Sequence, residues 1–333
     1  MRDITSKIIT QRTAVARAVL TVHPDTIKRI RNQDIPKGDP LPVAKVAAVQ
    51  AAKNTPQLIP YCHPVPVDFV GVEFELSETT ITVTTTVKAN YKTGVEMEAL
   101  SAAAAAALNL YDMLKMLDDT MTIQTIELLE KHGGKSDFTQ GFAHRLKAGV
   151  VVMSDSIVEG KKTDRSGQLI VDRLESMAIS VHPMVVIPDD PDQIRQTLLK
   201  LSDDMNLDLI ITTGGTGISP RDNTPQVTKE LLDLELPGIT EAARAYGQNR
   251  TPYAMLSRGI AGVRGASLII NLPGSTGGVK DALDALFPAV LHSFKMLWGY
   301  GHEKTDTHQT TPKNTSQTTP KTTSQTTEAL ASR

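Results

Sequence analysis

Hydrophobic and polar positions alternate with period two through "VGVEFELSETTITVTTTVKANY", residues 70–91. Val72, Phe74 and Leu76 form one apolar series and Ile81, Val83 and Thr85 another, with "SETT" between them as a turn. This pattern predicts an antiparallel hairpin. The period then changes to that of a helix over roughly 93–117. That segment opens on "TGVE", where Thr93 and Glu96 have the spacing of a capping box. Strands and long helices without strict alternation predict an α+β domain over residues 1–146.

From residue 147 the pattern alternates between element types. "AGVVVMSD", "SVHPMVVIPDD", "LDLIITTGGTG" and "ASLIINLPGS" read as buried strands. "GQLIVDRLESMAI", "DQIRQTLLKLSDDM" and a closing "VKDALDALFPAVLHSFKMLWGY" read as helices. Such alternation predicts a doubly wound, mostly parallel α/β sheet over 147–302. The boundary falls in the polar, glycine-bearing stretch 135–149. Residues 303–333 nearly repeat "KNTSQTTP" as "KTTSQTTE" and carry little apolar content, so a disordered tail is expected.

A chain of 333 residues accommodates two such domains. Aromatic residues make up 4%, too few for stacking platforms that bind single-stranded nucleic acid. A net charge of −2 recruits neither nucleic acid nor a membrane surface, so any anion site must be built locally. The one cysteine excludes an internal disulfide and a cysteine-rich zinc site. The first twenty residues lack a secretory apolar core, and "SAAAAAALNL" is too short to span a bilayer, so a cytoplasmic protein is expected.

Candidate chemistry in the first domain is concentrated in short motifs. Asp112 and Lys115 are spaced i,i+3 and share a helix face. Spacing alone favours a solvated ion pair. The bulky neighbours Tyr111, Met113, Leu114 and Met116 instead predict a mostly buried helix, where such a pair is often functional. Glu98 lies fourteen residues before Asp112, or about 21 Å along a helix axis. One ligand reaching both requires that a second subunit supply one of them. "KHGGKSD" offers Lys131, Lys135 and glycine amides to an anion, or is an ordinary solvated loop. In "IPYCHPVP", Cys62 and His63 are adjacent, and neighbours in an extended segment face opposite ways. That geometry argues against a nucleophile–base pair.

"KGDPLPVAK", "YCHP", "KTGVEMEAL", "YDMLK" and "KHGGKSDF" occur in order, and residues 3–138 resemble the cyclic pyranopterin monophosphate synthase (MoaC) family of molybdenum cofactor biosynthesis. The resemblance implies a ferredoxin-like α+β domain that turns a cyclic dihydro-GTP into cyclic pyranopterin monophosphate and diphosphate without a cofactor. It also implies a hexamer built from dimers, with sites at the dimer interface. Asp112, Lys115 and Lys37 match the catalytic residues. Tyr61, Cys62, His63, Met97, Glu98 and Arg12 match substrate-binding positions, with Lys131 and Lys135 as looser phosphate contacts. Tyr61 stands where the family usually has leucine.

In the second domain, "TTGGTGISPRDNTP" lacks the spacing of a Walker A motif and of a dinucleotide fingerprint. Asp189 and Asp222 follow successive predicted strands, at the edge where open α/β sheets bind ligands. Such carboxylates suit Mg²⁺ with a phosphate substrate, or are solvated loop acids. "SD", "PDD", "TTGGTGISPRDNTP" and "NLPGS" together resemble the MoaB/MogA molybdopterin-binding family over about 148–299. The resemblance implies a molybdopterin and nucleotide site at Gly214, Gly215, Thr216, Gly217, Asp189, Asp222, Pro273, Gly274 and Ser275. It implies either Mg²⁺- and ATP-dependent adenylylation or a non-catalytic binding or assembly module. A homo-oligomer is expected, through the first domain as above and through the second as a trimer.

Overall fold

The computed structural model of the chain describes residues 1–299. The tail expected over 303–333 lies outside the described residues. Two sheets organise the rest.

The first is built by β1 (Thr10–Thr21), α1 (Pro24–Arg31), α2 (Pro40–Lys53), α3 (Thr55–Leu58), β2 (Phe69–Leu76), β3 (Thr80–Tyr91), α4 (Glu96–Leu114) and β4 (Thr122–His132). Its strand order is β2-β3-β1-β4, and every neighbouring pair is antiparallel. The predicted hairpin is there, with Leu76 opposite Ile81. The buried face of β1 is Ala14, Ala16, Ala18 and Leu20. Alanine is poor in strands, and only a small-residue surface facing it makes the choice sensible. Helix α4 supplies that surface with buried Ala99, Ala102, Ala103, Ala106 and Ala107. Small side chains on both sides let helix and sheet approach closely. Thr85 on β3 donates its hydroxyl to the Ala99 carbonyl of α4 at 2.9 Å. Leu110 and Leu114 complete the packing, each worth about 2 kcal/mol of burial.

Two expectations for α4 need correction. The helix begins at Glu96 with Val95 as N-cap and no side-chain capping bond, so the Thr93–Glu96 capping box does not form. Glu96 instead lies 3.5 Å from Lys131. The last turn is also less buried than its bulky residues suggested. Met113 and Leu114 are buried, but Tyr111 is 36% and Met116 56% exposed, leaving Asp112 on the open side.

The second sheet is built by β5 (Lys147–Met153), α5 (Asp155–Val158), α6 (Ser166–Glu175), β6 (Ser180–Ile187), α7 (Pro191–Leu199), β7 (Leu209–Thr213), α8 (Thr224–Leu231), β8 (Leu234–Glu235), α9 (Pro237–Gln248), β9 (Ala261–Arg264), β10 (Ser267–Leu272), α10 (Thr276–Leu286) and α11 (Ser293–Leu297). The order is β6-β5-β7-β10-β9-β8. The first four strands are mutually parallel, and β9 and β8 run antiparallel at one edge. Alternate strand residues feed two cores. Val150, Val152, Ile211 and Ile270 pack with Ile170 of α6 and Leu283 of α10. Val151, Ile210 and Ile269 pack with Leu198 of α7 and Val227 of α8. Helices on both faces are the doubly wound arrangement predicted. The closing helix is not continuous: Pro288 follows α10, and a 3₁₀ turn at Ala289–His292 separates it from α11. Proline has no N–H to continue the helical bonding and its ring obstructs the preceding turn.

No helix among the described residues is long and apolar enough to cross a membrane.

Candidate functional site

At the C-terminal end of α4, three residues from two segments converge. Gly38 has φ +92°, a turn that a side-chain-bearing residue adopts only with strain, and Asp39 caps α2 by accepting from Leu41 N–H. This turn aims Lys37 at α4. Its ammonium donates to the Asp112 backbone carbonyl at 2.8 Å and to Oδ2 at 3.0 Å. That carbonyl belongs to the last helical turn, where C=O groups lack an internal partner. Lys115 approaches the other carboxylate oxygen at 2.7 Å. The two lysines therefore bracket Asp112. Hydrogen bonds from Lys115 and then Lys37, followed by their charges, hold the Asp112 carboxyl below its ordinary range. The Asp112 hydrogen bond and charge raise Lys115. Asp112 and Lys115 both remain more than half exposed.

A different environment lies at the other end of the helix. A cavity of about 480 Å³ is lined by five cationic side chains, Arg2, Lys7, Arg12, Lys131 and Lys135, with the carboxylates Glu96 and Asp137. Arg12 projects from β1 and is 7% exposed. Its Nε donates to the Tyr91 carbonyl at 3.1 Å, which fixes the guanidinium beside the cavity. Lys7 is held below its ordinary pKa by burial, then by the charges of Arg2, Arg12 and Lys135. The turn that carries Lys135 needs glycine: Gly133 has φ +94°, and a Cβ there would lie 1.8 Å from the Gln11 carbonyl oxygen. Five cations against two carboxylates, beside a turn of this kind, are suited to a polyphosphate.

Behind this cavity Glu98 is 1% exposed, and its Oε2 has no hydrogen-bond partner among the described residues. Burial raises its pKa. Cys62 donates to the other oxygen at 3.6 Å. Burial, then the Glu98 charge, push the Cys62 thiol up to about 11. Only about one Cys62 in ten thousand is then a thiolate at pH 7, which excludes a resting nucleophile. His63 donates from Nε2 to the Arg2 carbonyl at 2.8 Å. Tyr61 and Met97 are exposed at the same end. Thus Arg12, Lys131 and Lys135 come together in one place and Lys37, Asp112 and Lys115 in another, with most of α4 between. Arg2 and Lys7 had no signal in the sequence, because they sit in a strand-free segment whose position only the fold reveals.

The second site lies at the carboxyl ends of β5, β6, β7 and β10. Gly214 and Gly215 follow β7 with φ +102° and +62°. A Cβ on Gly214 would lie 2.2 Å from the Met153 carbonyl oxygen. Gly214, Gly215, Gly274 and Ser275 line a cavity of about 370 Å³. Thr213 donates to the Pro273 carbonyl at 2.7 Å, tying the β7 and β10 ends together. Asp164, Arg165 and Ser166 line the same cavity and were not foreseen; Asp164 Oδ2 is buried without a partner. Across the glycine turn, Asp189 Oδ1 is also buried and unpartnered. Burial, then the charge of Asp222, raise the Asp189 pKa. Asp222 accepts from Ser219 N–H at 2.8 Å and sits against Gly217. Thr216 is buried beneath the loop. Asp155 ties the parts together, accepting from Asp189 N–H at 3.1 Å and pairing with Arg221.

Residues 1–134 match the model of the MoaC family, and residues 149–292 match that of a probable molybdopterin binding domain. The molybdenum cofactor biosynthesis bifunctional protein of Chlorobaculum tepidum is 40% identical over 302 residues, covering 91% of this chain and 96% of that protein. This chain belongs to the family of molybdenum cofactor biosynthesis bifunctional proteins. A second bifunctional protein, from Synechococcus elongatus, is 38% identical over 91% of this chain and 98% of its own length. The cyclic pyranopterin monophosphate synthase of Brevibacillus brevis is 49% identical over 42% of this chain and 89% of that protein. In this family member, the second site falls in the second matched region, and the first site in the first, save that Lys135 and Asp137 lie just past its end.

Proposed function

We propose that the chain is a bifunctional enzyme of molybdenum cofactor biosynthesis, divided at 146/147. Its first domain converts cyclic dihydro-GTP to cyclic pyranopterin monophosphate and diphosphate. The strand order β2-β3-β1-β4 with its two crossover helix regions supports a ferredoxin-like description of that domain. The observation that carries the reading is a carboxylate bracketed by two ammonium groups, Asp112 between Lys37 and Lys115.

Closing the cyclic phosphodiester requires a substrate hydroxyl to attack the α-phosphate while diphosphate leaves. The hydroxyl must lose a proton and the departing oxygen must be stabilised. Arg12, Lys131, Lys135 and Lys7 hold the triphosphate and offset the growing charge on the leaving diphosphate. Asp112, Lys115 and Lys37 move protons. In the free chain the depressed Asp112 carboxyl and the raised Lys115 hold the pair ionised, so bound substrate must part them and bring both pKa values toward neutral pH before either exchanges a proton. No cofactor is needed for this chemistry. Tyr61, Cys62, His63, Met97 and Glu98 form the wall around the bound base. Because the two groups sit at opposite ends of α4, the complete site is assembled from two copies of the chain, within a homo-oligomer. Purified Asp112→Ala and Lys115→Ala proteins, folded by circular dichroism, should lose at least about a thousandfold of turnover; full turnover in either refutes the assignment.

The second domain binds molybdopterin at Gly214–Gly217 and Pro273–Ser275, and adenylylates it with Mg²⁺ and ATP. Asp189 and Asp222 would hold the cation, which would neutralise phosphate oxygens. Two mutually repelling carboxylates, one with a buried unpartnered oxygen, fit a hard divalent ion. A non-catalytic binding or assembly module uses the same cavity without the cation. The full chain should transfer AMP to molybdopterin and Asp222→Ala should not; no transfer in either favours the binding module. Both activities act on small soluble molecules, a cyclic nucleotide and a pterin, in the cytoplasm, without nucleic acid or membrane.

A further inference from the structure

Residues 2–9 form a strap between the two sheets. On one side, Arg2 and Lys7 line the cationic cavity of the first domain. On the other, the strap backbone is held by α9 of the second domain and by Arg250, two residues past its end. Tyr246 donates its hydroxyl to the Ser6 carbonyl at 2.5 Å. Arg250 donates to the Thr5 carbonyl at 2.7 Å. These two donors are themselves fixed. The Arg250 guanidinium stacks 3.3 Å over the Tyr246 ring, bonds the Tyr246 carbonyl at 2.9 Å and lies 3.4 Å from Asp281 of α10. Tyr246 is 8% exposed. Within the strap, Asp3 accepts from the Thr5 N–H and hydroxyl at 2.8 Å, and Lys7 N–H donates to the Ile4 carbonyl at 3.1 Å. The backbone between the clamp and the two cations is thus a stiff pair of turns.

We propose that Tyr246 and Arg250 are positioning residues for the first domain's reaction, clamping the strap so that Arg2 and Lys7 face the bound polyphosphate. The second domain therefore completes the anion cavity of the first. This rests on the reading of that cavity as the triphosphate site. A clamp on the backbone that carries two phosphate-facing cations acts on binding more than on proton transfer, so its loss should appear mainly in KM.

The test uses the full chain, with inorganic pyrophosphate as a calorimetric probe and cyclic dihydro-GTP turnover as the second readout. Tyr246→Phe removes one oxygen and keeps the packed ring. It and Arg250→Ala should each weaken pyrophosphate binding and raise KM about five- to tenfold, with kcat falling less than KM rises. Arg250→Lys, which retains a donor, should recover part of the loss. Amides of residues 4–8 should exchange faster in Tyr246→Phe. If Lys7→Ala and Arg12→Ala weaken pyrophosphate binding while Tyr246→Phe and Arg250→Ala do not, the clamp is overturned and the cavity's role stands. If none of the four changes binding, the cavity reading itself fails. Equal losses of kcat and thermal stability in Arg250→Ala and Arg250→Lys, with KM and Kd unmoved, also overturn the clamp.

Discussion

The two ends of α4 solve opposite problems. At the C-terminal end each charged group of the cluster has a partner: Asp112 accepts from both Lys37 and Lys115, which share its one carboxylate, and the group stands open to solvent. At the N-terminal end charges are left wanting. Five cations face two carboxylates across a cavity, Lys7 is depressed by burial and then by its cationic neighbours, and Glu98 keeps a buried oxygen without a partner among the described residues. An exposed cluster whose members already bond one another binds little by itself, and a substrate that parts them frees groups for proton exchange. A partly buried excess of positive charge gains most when an anion arrives. On the proposed function, chemistry belongs to one end and binding to the other, and the length of the helix keeps them apart within one chain.

Substitutions should separate the two ends by kind as well as by size. The largest effect is expected at the paired end, where Asp112→Ala should lower kcat by at least about a thousandfold with KM little moved, measured by steady-state kinetics. A rise in KM alone would erase the distinction. Next is the thiol beside Glu98. With its pKa near 11 instead of 9, Cys62 should be alkylated by iodoacetamide about a hundredfold more slowly at pH 7 than an ordinary protein thiol, with the rate still climbing above pH 9. A rate plateau near neutral pH would show an activated cysteine. Arg12→Ala should raise KM and the Kd for pyrophosphate about thirtyfold, and flatten the salt dependence of binding. The smallest effect belongs to a residue outside both groups. Asp118, just beyond α4, accepts from His23 N–H, Thr26, Thr120 N–H and the Thr120 hydroxyl. Burial alone would raise its pKa, but these bonds outweigh it and leave the group depressed. A depressed carboxyl stabilises the fold above its unfolded pKa, and that contribution is lost as pH falls through the folded value. Asp118→Ala should cost about 2 kcal/mol at pH 7 and less at acid pH, read by denaturant unfolding.

Much of this was legible in the sequence where a side chain announces its environment. The Val/Ile/Thr alternation of 70–91 and the aliphatic runs of the second domain gave their strands directly. Strand β1 was opaque because its buried face is alanine, chosen to fit a helix eighty residues away. The fourteen-residue gap from Glu98 to Asp112 already implied two groups, and both lie on the single helix α4. What spacing could not reveal was the strap. Arg2 and Lys7 enter the cavity because carbonyls at Thr5 and Ser6 are held by residues some 240 positions later. Asp164 was equally silent, since its orphaned oxygen is a property of burial and not of composition. The capping box failed for a related reason: Glu96 finds Lys131 on β4, a partner that no local rule can see.

The central claim is that one active site draws on the two ends of α4 from different copies of the chain. Mixing impaired variants tests it most directly. On this account Asp112→Ala is unable to turn over cyclic dihydro-GTP, and an Arg12→Ala/Lys131→Ala double variant turns over little of it when assayed near the wild-type KM. Co-refolded or co-expressed at equal amounts, they should recover about a quarter of wild-type activity, because half of the dimers then carry one intact site. Activity that stays at the level of the separate variants, with mixed oligomers shown by native mass spectrometry, would contradict a shared site.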